Sequence, residues 1–539
     1  MVRSRSSRSR VIASGILLLQ HTRTYTSTST AYVSVDALST SINLHNPSLL
    51  RAPAVTFHRE SLEVYDPSAS QQQVEDGSAV LALVEAMNRK DVTLAIDKSN
   101  AALKQWKFHT TALHRSGLLS KWSSLIKENA KDIAKIMTME SGKPLHESIG
   151  EVNYGTSFID FFAAEALRMT GAGGGFMVPS PFASPDGSPK GRIMAVNEAV
   201  GVTAMITPWN FPLAMITRKV GPALAAGCTV IVKPSELTPL TAIALKQLAD
   251  EAGIPPNVFQ LIISDTDQTP SIGEELCTNP IVKKFSFTGS TAVGRLLMEQ
   301  SSSTIKRISL ELGGNAPFIV FEDADIEQAG HAAMASKFRN AGQTCVCADR
   351  FIIHDSVVED FTQLLKEKVL EIKVGHGLDE GIDMGPLILP LAAESVQIKV
   401  REAIADGAKC VIGGSTMDHM GPNYFEPTIL TDVKATSRIW NTETFGPVAA
   451  IATFHHEQDA IDLANDSSTG LASYMCTNDM SRAFRVAEHL EDGMVGINEG
   501  VISTATAPFG GVKESGLGRE GSSVGLSEYL ETKYIFLNA

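Results

Sequence analysis

Between residues 202 and 288, short apolar segments alternate with helix-length segments, and this alternation constrains the fold more than any other feature of the chain. The apolar segments are predicted to be strands and the intervening segments helices. The predicted strands are Val202–Ile206, Thr229–Lys233, Val258–Ile263 and Lys284–Thr288; helical patterns include Leu213–Ala226 and Leu240–Glu251. Strands separated by helices favour an α/β fold with a parallel sheet and right-handed crossovers.

Polar segments follow three of these strands and predict a binding rim. Ligands of a parallel sheet bind at the carboxyl ends of its strands. Residues 207–210, 234–236 and 289–290 follow strands and should therefore lie at one edge. A second mixed region begins near Ala316, and its alternation continues to about Asn498.

The rest of the chain has weaker patterns. Residues 26–60 are rich in Ser, Pro and Ala and predict an irregular or extended arm. A helical pattern runs from about Val92 to Met137, whereas Gly171–Gly191 is rich in Gly, Pro and Ser and interrupts the regular pattern. A chain of 539 residues should divide into two or three domains.

Charge and cysteine content exclude several classes of function. The formal net charge of −14 argues against a nucleic-acid partner, which needs a basic surface. Six cysteines are too sparse for a disulfide framework and indicate a reducing compartment. No apolar run reaches the ~18 residues that would suggest a membrane span, so no membrane partner is expected.

The first thirty residues differ from the rest of the sequence. They contain five arginines and twelve Ser or Thr, and the first acidic residue is Asp36. This composition is typical of a mitochondrial transit peptide, here residues 1–25 with a cut after Tyr25, and predicts the mitochondrial matrix. The alternative is a secretory signal with Val11–Leu19 as its apolar region, which lacks a small-residue cleavage site close by.

Three segments carry the chemistry. They are NAGQTCVCADR at 340–350, LELGGNAP at 310–317 and ITPWNFP at 206–212. With these segments the chain resembles the aldehyde dehydrogenase superfamily over roughly residues 60–539. Cys345 and Glu311 stand 34 residues apart, as in that family.

The resemblance implies an α/β fold with a Rossmann-type cofactor domain, an α/β catalytic domain and a small β oligomerisation element. The implied bounds are 26–188 and 201–312 for the NAD(P)-binding domain, 313–510 for the catalytic domain, and 189–200 and 522–539 for the oligomerisation strands. A homotetramer is also implied. Arg192–Asn197 and Tyr534–Leu537 look like strands with unpaired edges that another subunit could cover.

The resemblance also implies the catalytic residues. Cys345 is a soft nucleophile, expected to be partly thiolate near neutral pH, that would form a thiohemiacetal and then a thioester. The Asn210 amide and the Cys345 backbone N–H would stabilise the alkoxide. Glu311 would be the general base for hydrolysis. Taken one at a time, these residues could instead be a buried structural Cys, a turn Asn and a surface Glu.

The cofactor motif is not GxGxxG but FTGSTAVG at 287–294, a strand that opens into a helix whose N-terminus could cradle a pyrophosphate. Glu236 can accept from the ribose hydroxyls and would repel a 2′-phosphate, which favours NAD, although NADP remains possible. The implied cofactor-binding residues are Ile206, Thr207, Pro208, Trp209, Lys233, Ser235, Glu236, Gly289, Ser290, Gly294, Leu312, Gly313, Glu443 and Phe445. No metal is expected.

The C-terminal motif PFGGVKESGLGREG at 508–521 resembles the succinate-semialdehyde branch of the family. That resemblance implies that Arg218, Arg339 and Ser503 bind a distal carboxylate, as guanidiniums and a hydroxyl can. The alternatives are a surface charge for Arg218 and an ion pair for Arg339. Glutarate semialdehyde or another ω-carboxy aldehyde stays possible, because one methylene discriminates by only ~1–3 kcal/mol. A CoA-acylating enzyme and an inactive scaffold are less favoured.

Cys347 lies two residues after the nucleophile. By itself it would be read as a small buried apolar residue. The resemblance implies a redox switch in which oxidised Cys345 condenses with Cys347 into a reversible disulfide.

Overall fold

The computed structural model describes residues 61–168, 171 and 173–538. The predicted transit peptide and the predicted arm at 26–60 lie outside the described residues. Of the helices described, none combines the length and apolarity that crossing a bilayer requires.

The helices occur throughout the described chain. They are α1 (Gln71–Asp76), α2 (Arg89–His109), α3 (Ala112–Glu128), α4 (Ala130–Ser141), α5 (Leu145–Glu165), α6 (Ala214–Ala226), α7 (Pro239–Ala252), α8 (Thr269–Thr278), α9 (Thr291–Ser301), α10 (Ile326–Lys337), α11 (Val358–Leu370), α12 (Pro390–Ala405), α13 (Arg438–Asn441), α14 (Glu457–Asn465), α15 (Met480–His489) and α16 (Ser522–Ser527). Two short 3₁₀ turns cover Ser302–Thr304 and Arg339–Gly342.

The strands form five sheets. They are β1 (Ser61–Tyr65), β2 (Val80–Glu85), β3 (Gly175–Pro179), β4 (Arg192–Ala199), β5 (Val202–Ile206), β6 (Thr229–Lys233), β7 (Phe259–Leu261), β8 (Val282–Thr288), β9 (Arg307–Glu311), β10 (Ala316–Val320), β11 (Ala348–His354), β12 (Lys409–Ile412), β13 (Thr428–Thr431), β14 (Val448–Phe454), β15 (Thr469–Gly470), β16 (Ala472–Cys476), β17 (Met494–Ile497), β18 (Val512–Lys513), β19 (Gly516–Leu517) and β20 (Leu530–Leu537).

The first large sheet has the strand order β19-β9-β8-β5-β6-β7. All its pairs are parallel except β19 with β9, which confirms the α/β prediction. Two details were predicted less well. The third predicted strand is only Phe259–Leu261, and the helical pattern at 92–137 falls in three separate helices, α2 to α4.

The second large sheet has the order β12-β13-β14-β11-β10-β16-β17 and is parallel except for β12 with β13. β9 ends at Glu311 and β10 begins at Ala316, so the chain leaves the first sheet at its carboxyl edge and enters the second at its amino edge. β11 is parallel to β10, and its first residue, Ala348, pairs with Ala316. The loop before β11, which carries Cys345, therefore meets the ligand-binding edge of the first sheet.

A small antiparallel sheet has the order β20-β4-β3. The sequence prediction that Arg192–Asn197 has an unpaired edge is wrong, because β4 pairs with β20 on one side and β3 on the other. β3 also lies inside Gly171–Gly191, where the sequence pattern predicted only an interruption. Its first residue, Gly175, has φ of 152°, and a Cβ there would lie 1.9 Å from the carbonyl oxygen of Ala195. Glycine thus permits close strand pairing here rather than breaking it.

Candidate active site

The loop that carries Cys345 has an unusual backbone. Asn340 and Ala341 have φ of 51° and 54°, and Gly342 follows with φ of 75°. Non-glycine residues in the left-handed region are disfavoured and persist only where their surroundings hold them. The Glu147 carboxylate accepts from the Asn340 backbone N–H at 3.0 and 3.1 Å. The contact between the Glu147 carboxylate and this turn therefore helps to hold the loop that leads to Cys345.

Two glycines allow this loop to pack closely. A Cβ on Gly342 would lie 2.2 Å from the carbonyl oxygen of Gly446, and a Cβ on Gly314 would lie 2.3 Å from the carbonyl oxygen of Cys345. Gly314 belongs to the segment that connects the two large sheets. The glycines after Glu311 thus let the backbone of the Cys345 loop reach that segment.

Cys345 is half-buried and lines a cavity. Burial raises the pKa of its thiol to about 12; Arg218 acts in the opposite direction, while Glu443 and Glu311 add to the rise. The sequence prediction of a partly ionised thiol is therefore wrong for the ligand-free chain. Before Cys345 can attack a carbonyl, a base must take the thiol proton or a change in the surroundings must lower the pKa of the thiol.

Glu311 is the last residue of β9 and is buried. Neither carboxylate oxygen has a hydrogen-bond partner within the described residues. Burial first, and then the charge of Glu520, raise the pKa of Glu311 well above its ordinary value. A buried carboxyl with free oxygens and a raised pKa is suited to accept a proton.

Asn210 is buried and held from several sides. Its Nδ2 donates to the carbonyl of Gln343 at 3.1 Å, and its own carbonyl accepts from Lys143 Nζ at 2.7 Å and from Asn340 Nδ2 at 3.1 Å. An amide nitrogen carries two N–H groups, so one remains for another acceptor. The amide is thus fixed against the loop two residues before Cys345.

A cavity of about 280 Å³ adjoins the thiol and brings together Cys345 and the three residues predicted to bind a carboxylate, Arg218, Arg339 and Ser503. Lys143, Glu147, Glu151, Tyr154, Phe211 and Phe509 also line it. Asn210 and Glu311 are not among the lining residues, although the charge of Glu311 acts on Cys345.

Arg218 is fully buried, so the alternative of a surface charge is wrong. It forms an ion pair with Glu520, and its guanidinium lies 4.5 Å from the centre of the Phe509 ring. Lys219 pairs with the same carboxylate and donates to Ser286 Oγ at 2.9 Å. Burial alone would raise the pKa of Glu520, but Arg218 and Lys219 lower it overall. Two basic side chains thus share one carboxylate, and burial lowers the pKa of Lys219.

Arg339 is held more loosely. It is half-buried, its guanidinium lies 5.6 Å from the centre of the Phe211 ring, and its buried Nε has no hydrogen-bond partner within the described residues. No ion pair of Arg339 is found among those residues, which disfavours the ion-pair alternative. A planar donor fork with a free N–H is suited to bind a carboxylate.

The predicted cofactor residues lie along the carboxyl edge of the first sheet. Ile206, Pro208 and Trp209 are half-buried there, and the Trp209 ring lies 5.6 Å from that of Phe445, edge to face. Ser290 caps α9 by accepting from the Val293 backbone N–H at 3.4 Å. Because an N-terminus of this kind favours anions, the strand–helix junction fits a pyrophosphate.

Two further observations bear on the fit of a dinucleotide. The buried hydroxyls of Thr207 and Thr288, at the ends of neighbouring strands, have no hydrogen-bond partner within the described residues. A Cβ on Gly289 would lie 2.4 Å from the Phe287 ring, so a side chain here would require that ring to move. Two buried hydroxyls without hydrogen-bond partners, next to a turn formed by a glycine, fit a bound polar group at this edge.

Other predicted cofactor residues make contacts within the chain. Lys233 Nζ pairs with Glu236 at 3.0 Å, so the carboxylate expected to repel a 2′-phosphate is partly neutralised. Ser235 is buried next to them, and its Oγ accepts from the backbone N–H of Leu237 at 3.3 Å. This pairing weakens the argument from Glu236 for NAD over NADP.

Glu443 accepts from the Gly314 N–H at 3.2 Å, and a Cβ on Gly313 would lie 2.8 Å from its carboxylate. Burial, and next the charge of Asp349, raise the pKa of Glu443 to about 8. A Cβ on Gly294 would lie 2.5 Å from the Leu312 side chain, so Gly294 lets α9 pack against the end of β9. These contacts place the cofactor-edge residues beside Glu311.

Cys347 is buried, and its thiol donates to the Lys337 carbonyl at 3.4 Å. It is a free cysteine, as is Cys345. Burial raises the pKa of the Cys347 thiol to about 11. A disulfide with Cys345 would require this thiol to leave its hydrogen bond.

Sequence reasoning missed the polar face of α5. Glu147, Glu151 and Tyr154 are spaced four and three residues apart and share one helix face, a pattern that was readable in the sequence. Glu151 accepts from the backbone N–H groups of Leu213 and Ala214 at 2.9 and 3.2 Å, and its carboxylate lies 2.6 Å from Lys143 Nζ. This carboxylate thus caps the start of α6, the helix that carries Arg218.

The sequence was compared with those of known proteins. The model of the aldehyde dehydrogenase family matches residues 58–535. The chain is 45% identical to the mitochondrial succinate-semialdehyde dehydrogenase of Arabidopsis thaliana, over 94% of this chain and 93% of the relative. It is 48% identical to a glutarate-semialdehyde dehydrogenase of Pseudomonas putida, over 85% and 92%.

Solved structures show the same likeness. The crystal structure of succinate-semialdehyde dehydrogenase from Burkholderia pseudomallei superimposes with a TM-score of 0.86 at 46% identity. The match covers 92% of this chain and 100% of that one.

Proposed function

The chain belongs to the aldehyde dehydrogenase family, and we propose that it oxidises succinate semialdehyde to succinate with NAD(P)+, as in the degradation of 4-aminobutyrate. One observation carries the choice of substrate. A single cavity of about 280 Å³ is lined by Cys345 together with Arg218, Arg339 and Ser503. A short aldehyde with a distal carboxylate can reach the thiol with one end and the guanidiniums with the other.

In the first step Cys345 Sγ bonds to the aldehyde carbon and gives up its proton. The carbonyl oxygen becomes an alkoxide, which accepts from the free N–H of Asn210 Nδ2 and from the Cys345 backbone N–H. Since the pKa of the thiol is about 12 in the ligand-free chain, a base must take its proton. Glu311 is the base we assign, because its pKa is raised and its oxygens are free.

When bound, NAD(P)+ accepts a hydride, which leaves the acyl group on Cys345 as a thioester. Ser290 at the start of α9, Lys233, Glu236 and Glu443 would hold the cofactor, together with the other residues of that edge. Glu311 releases the thiol proton to solvent and then removes a proton from water. The resulting oxygen attacks the thioester carbon, and the C–S bond breaks. The Cys345 sulfur takes up the proton held by Glu311, and the acid loses its own proton and leaves as the carboxylate.

The distal carboxylate decides orientation in this proposal. Arg218 is charged and pairs with Glu520, and its buried Nη2, like the Nε of Arg339, has no hydrogen-bond partner within the described residues. Charge-assisted hydrogen bonds to both would hold the substrate a few bonds from the thiol and so raise its effective concentration there.

A second candidate substrate is glutarate semialdehyde, which the Pseudomonas putida relative supports. The two substrates differ by one methylene. Steady-state kcat/KM on unbranched semialdehydes of three to six carbons, each with NAD+ and with NADP+, tests both substrate and cofactor. Highest kcat/KM on the four-carbon acid supports the proposal, and a maximum on the five-carbon acid transfers it to glutarate semialdehyde. No turnover of any of them would instead support the inactive scaffold.

Assembly, domain bounds and location are also part of the proposal. The sheet β20-β4-β3 leaves one edge of β20 and one of β3 open within the described residues, which supports the oligomerisation strands at 189–200 and 522–539 and a homotetramer. A monomer by light scattering at micromolar concentration would contradict it. Domain bounds of 26–188 with 201–312 and of 313–510 stand on the family resemblance. The mitochondrial Arabidopsis relative supports mitochondrial targeting, and we propose the matrix.

A further inference from the structure

A cluster of two histidines and one aspartate lies at the carboxyl ends of two strands of the second large sheet. β11 ends at His354, and His455 follows the last residue of β14. These two strands are parallel neighbours in which His354 pairs with Phe454, so the sheet register brings together residues that are 101 positions apart. Cys345 precedes β11, so this cluster lies about one strand length, roughly 20 Å, from the thiol.

Both imidazoles of the cluster approach one carboxylate. His455 Nδ1 lies 2.7 Å from one oxygen of Asp355, and His354 Nδ1 lies 3.2 Å from the other. One atom from each of the three side chains can be chosen so that all lie within 4.8 Å of one another. Tetrahedral zinc bound at ~2.0–2.2 Å places its ligand atoms about 3.4 Å apart, so small side-chain rotations suffice.

The tautomer of His354 is set by the backbone. Its Nδ1 accepts from the Ser356 N–H at 3.2 Å and lies 2.8 Å from Ser356 Oγ, and its Nε2 lies 3.1 Å from the carbonyl of His455, to which it can donate. With the proton on Nε2, Nδ1 is the atom that can bind an ion, and it must then give up its contacts with Ser356. Metal-binding histidines are commonly fixed in this way, by a ring N–H that donates to a backbone carbonyl.

The surroundings also favour a cation, because Asp355 and His455 belong to a groove of about 670 Å³ whose walls add Asp459, Asp462 and Asp466. Asp459 accepts from the His456 backbone N–H, and Asp462 accepts from Gln458, so these two contribute charge rather than free ligands. The field of this groove concentrates cations next to the two imidazoles.

We propose that His354, Asp355 and His455 form a binding site for a divalent transition-metal ion, with zinc as the test ion. Two imidazoles and one carboxylate are ligands that Zn²⁺ accepts, and water completes the tetrahedron. The ion joins the ends of β11 and β14, so its binding stabilises the second large sheet. The sequence offered no sign of this site, because its ligands are brought together only by the strand register.

Zinc also binds reactive thiols, so the experiment uses the full chain with Cys345→Ala as background. Isothermal titration with Zn²⁺ should then show one saturable site per chain. His455→Ala should weaken it by at least about tenfold, since even outer-shell changes cost that much. Asp355→Asn should weaken it as well. Because the His455 side chain is 67% exposed, its removal should leave the metal-free melting temperature unchanged.

His331→Ala in the same background is the matched control. His331 lies 3.3 Å from Glu327 and is similarly exposed, but Lys368 lies beside it in place of a third ligand. Zinc affinity should be unchanged in this variant, and Zn²⁺ should raise its melting temperature as it does in the background protein but not in His455→Ala. Absence of a saturable site, or equal affinity in the His455 and His331 variants, overturns the proposal.

Discussion

Arg218 and Cys345 line the same cavity, and burial disfavours the charged form of both, yet only Arg218 lies against a buried countercharge. Arg218 is fully buried and stays charged because Glu520 lies against it. Cys345 is half-buried and Glu311 is buried, and neither forms an ion pair within the described residues, so the pKa of each is raised. A buried charge is tolerated only where an opposite charge or hydrogen bonds compensate it. The guanidinium is therefore ready to bind an anion, whereas the raised pKa of each reacting group disfavours its ionised form.

The guanidiniums and the reacting groups also differ in the effect that is expected when a side chain is removed. Loss of a reacting group should abolish chemical steps for every aldehyde. Loss of a guanidinium should act only on substrates that carry a carboxylate. The two effects can be distinguished with succinate semialdehyde, which carries a carboxylate, and butanal, which has the same number of carbons and no charge.

Cys345→Ala should have the largest effect. Without the thiol no thioester forms, so turnover of both aldehydes should fall by roughly a thousandfold or more. NAD binding, followed by fluorescence titration, should change little, because the thiol bonds only to substrate. Cys345→Ser is the conservative companion and should be nearly as inactive. Substantial oxidation of either aldehyde by Cys345→Ala would remove Cys345 from the mechanism.

Glu311→Gln should lower steady-state kcat by about 10²–10⁴-fold, the range of a lost general base. Because Glu311 is assigned as the base that deprotonates Cys345 as well as water, stopped-flow absorbance should show the burst of NADH slowed together with kcat. A burst of one NADH per site at the parent rate would restrict Glu311 to hydrolysis of the thioester.

The pH dependence follows from the same carboxyl. The pKa of Glu311 is raised, so the group binds a proton at pH values where an ordinary Glu is ionised. Its basic form, and with it kcat, should increase as pH rises through this raised pKa. This rise in kcat should occur at pH values above the ordinary pKa range of Glu, and it should disappear in Glu311→Gln. A kcat that is already constant from pH 5 upward would contradict the raised pKa.

Arg339→Ala should raise KM for succinate semialdehyde by roughly ten- to a hundredfold, since a lost charge-assisted hydrogen bond costs about 1.5–3 kcal/mol. KM for butanal should change little. Arg339→Lys keeps the charge but not the planar fork, so it should recover only part of the loss. Equal losses on both aldehydes would mean that Arg339 is structural.

Arg218→Ala should raise the same KM but should also destabilise the fold. Removing one partner of a buried pair typically costs ~3–5 kcal/mol, and Lys219 remains to neutralise Glu520, so a smaller cost is expected. Thermal melting should therefore drop for Arg218→Ala and stay near the parent value for Arg339→Ala. Equal melting temperatures for the two variants would contradict the assigned difference in pairing.

The parallel sheets were predictable from sequence because period and length alone distinguish buried strands from amphipathic helices. The motif residues were also identifiable, and Cys345, Arg218, Arg339 and Ser503 do line one cavity. The charge states of the site residues were not predictable, because they depend on contacts between residues that are far apart in the sequence, such as Arg218 with Glu520. The ionised thiol was wrongly predicted for this reason, because its pKa is set by burial, which composition does not report.

The smallest effect on basal activity is expected from Cys347→Ala. Cys347 contacts the Lys337 carbonyl and does not line the cavity, so the reduced variant should turn over both aldehydes almost as fast as the parent. Its proposed role appears only on oxidation. A sulfenic acid on Cys345 can condense with the Cys347 thiol, which releases water and protects Cys345 from further oxidation.

Peroxide should therefore inactivate the parent protein reversibly, with activity restored by dithiothreitol. The same dose should inactivate Cys347→Ala irreversibly, because sulfinic and sulfonic acids are not reduced by a thiol. Cys476→Ala is the matched control, since Cys476 is also a buried free thiol but lies in β16, and it should recover like the parent. The Cys347 thiol must leave its hydrogen bond to Lys337 for the disulfide to form, so protection of Cys345 requires the loop to rearrange. Full recovery of oxidised Cys347→Ala in dithiothreitol would rule out the switch.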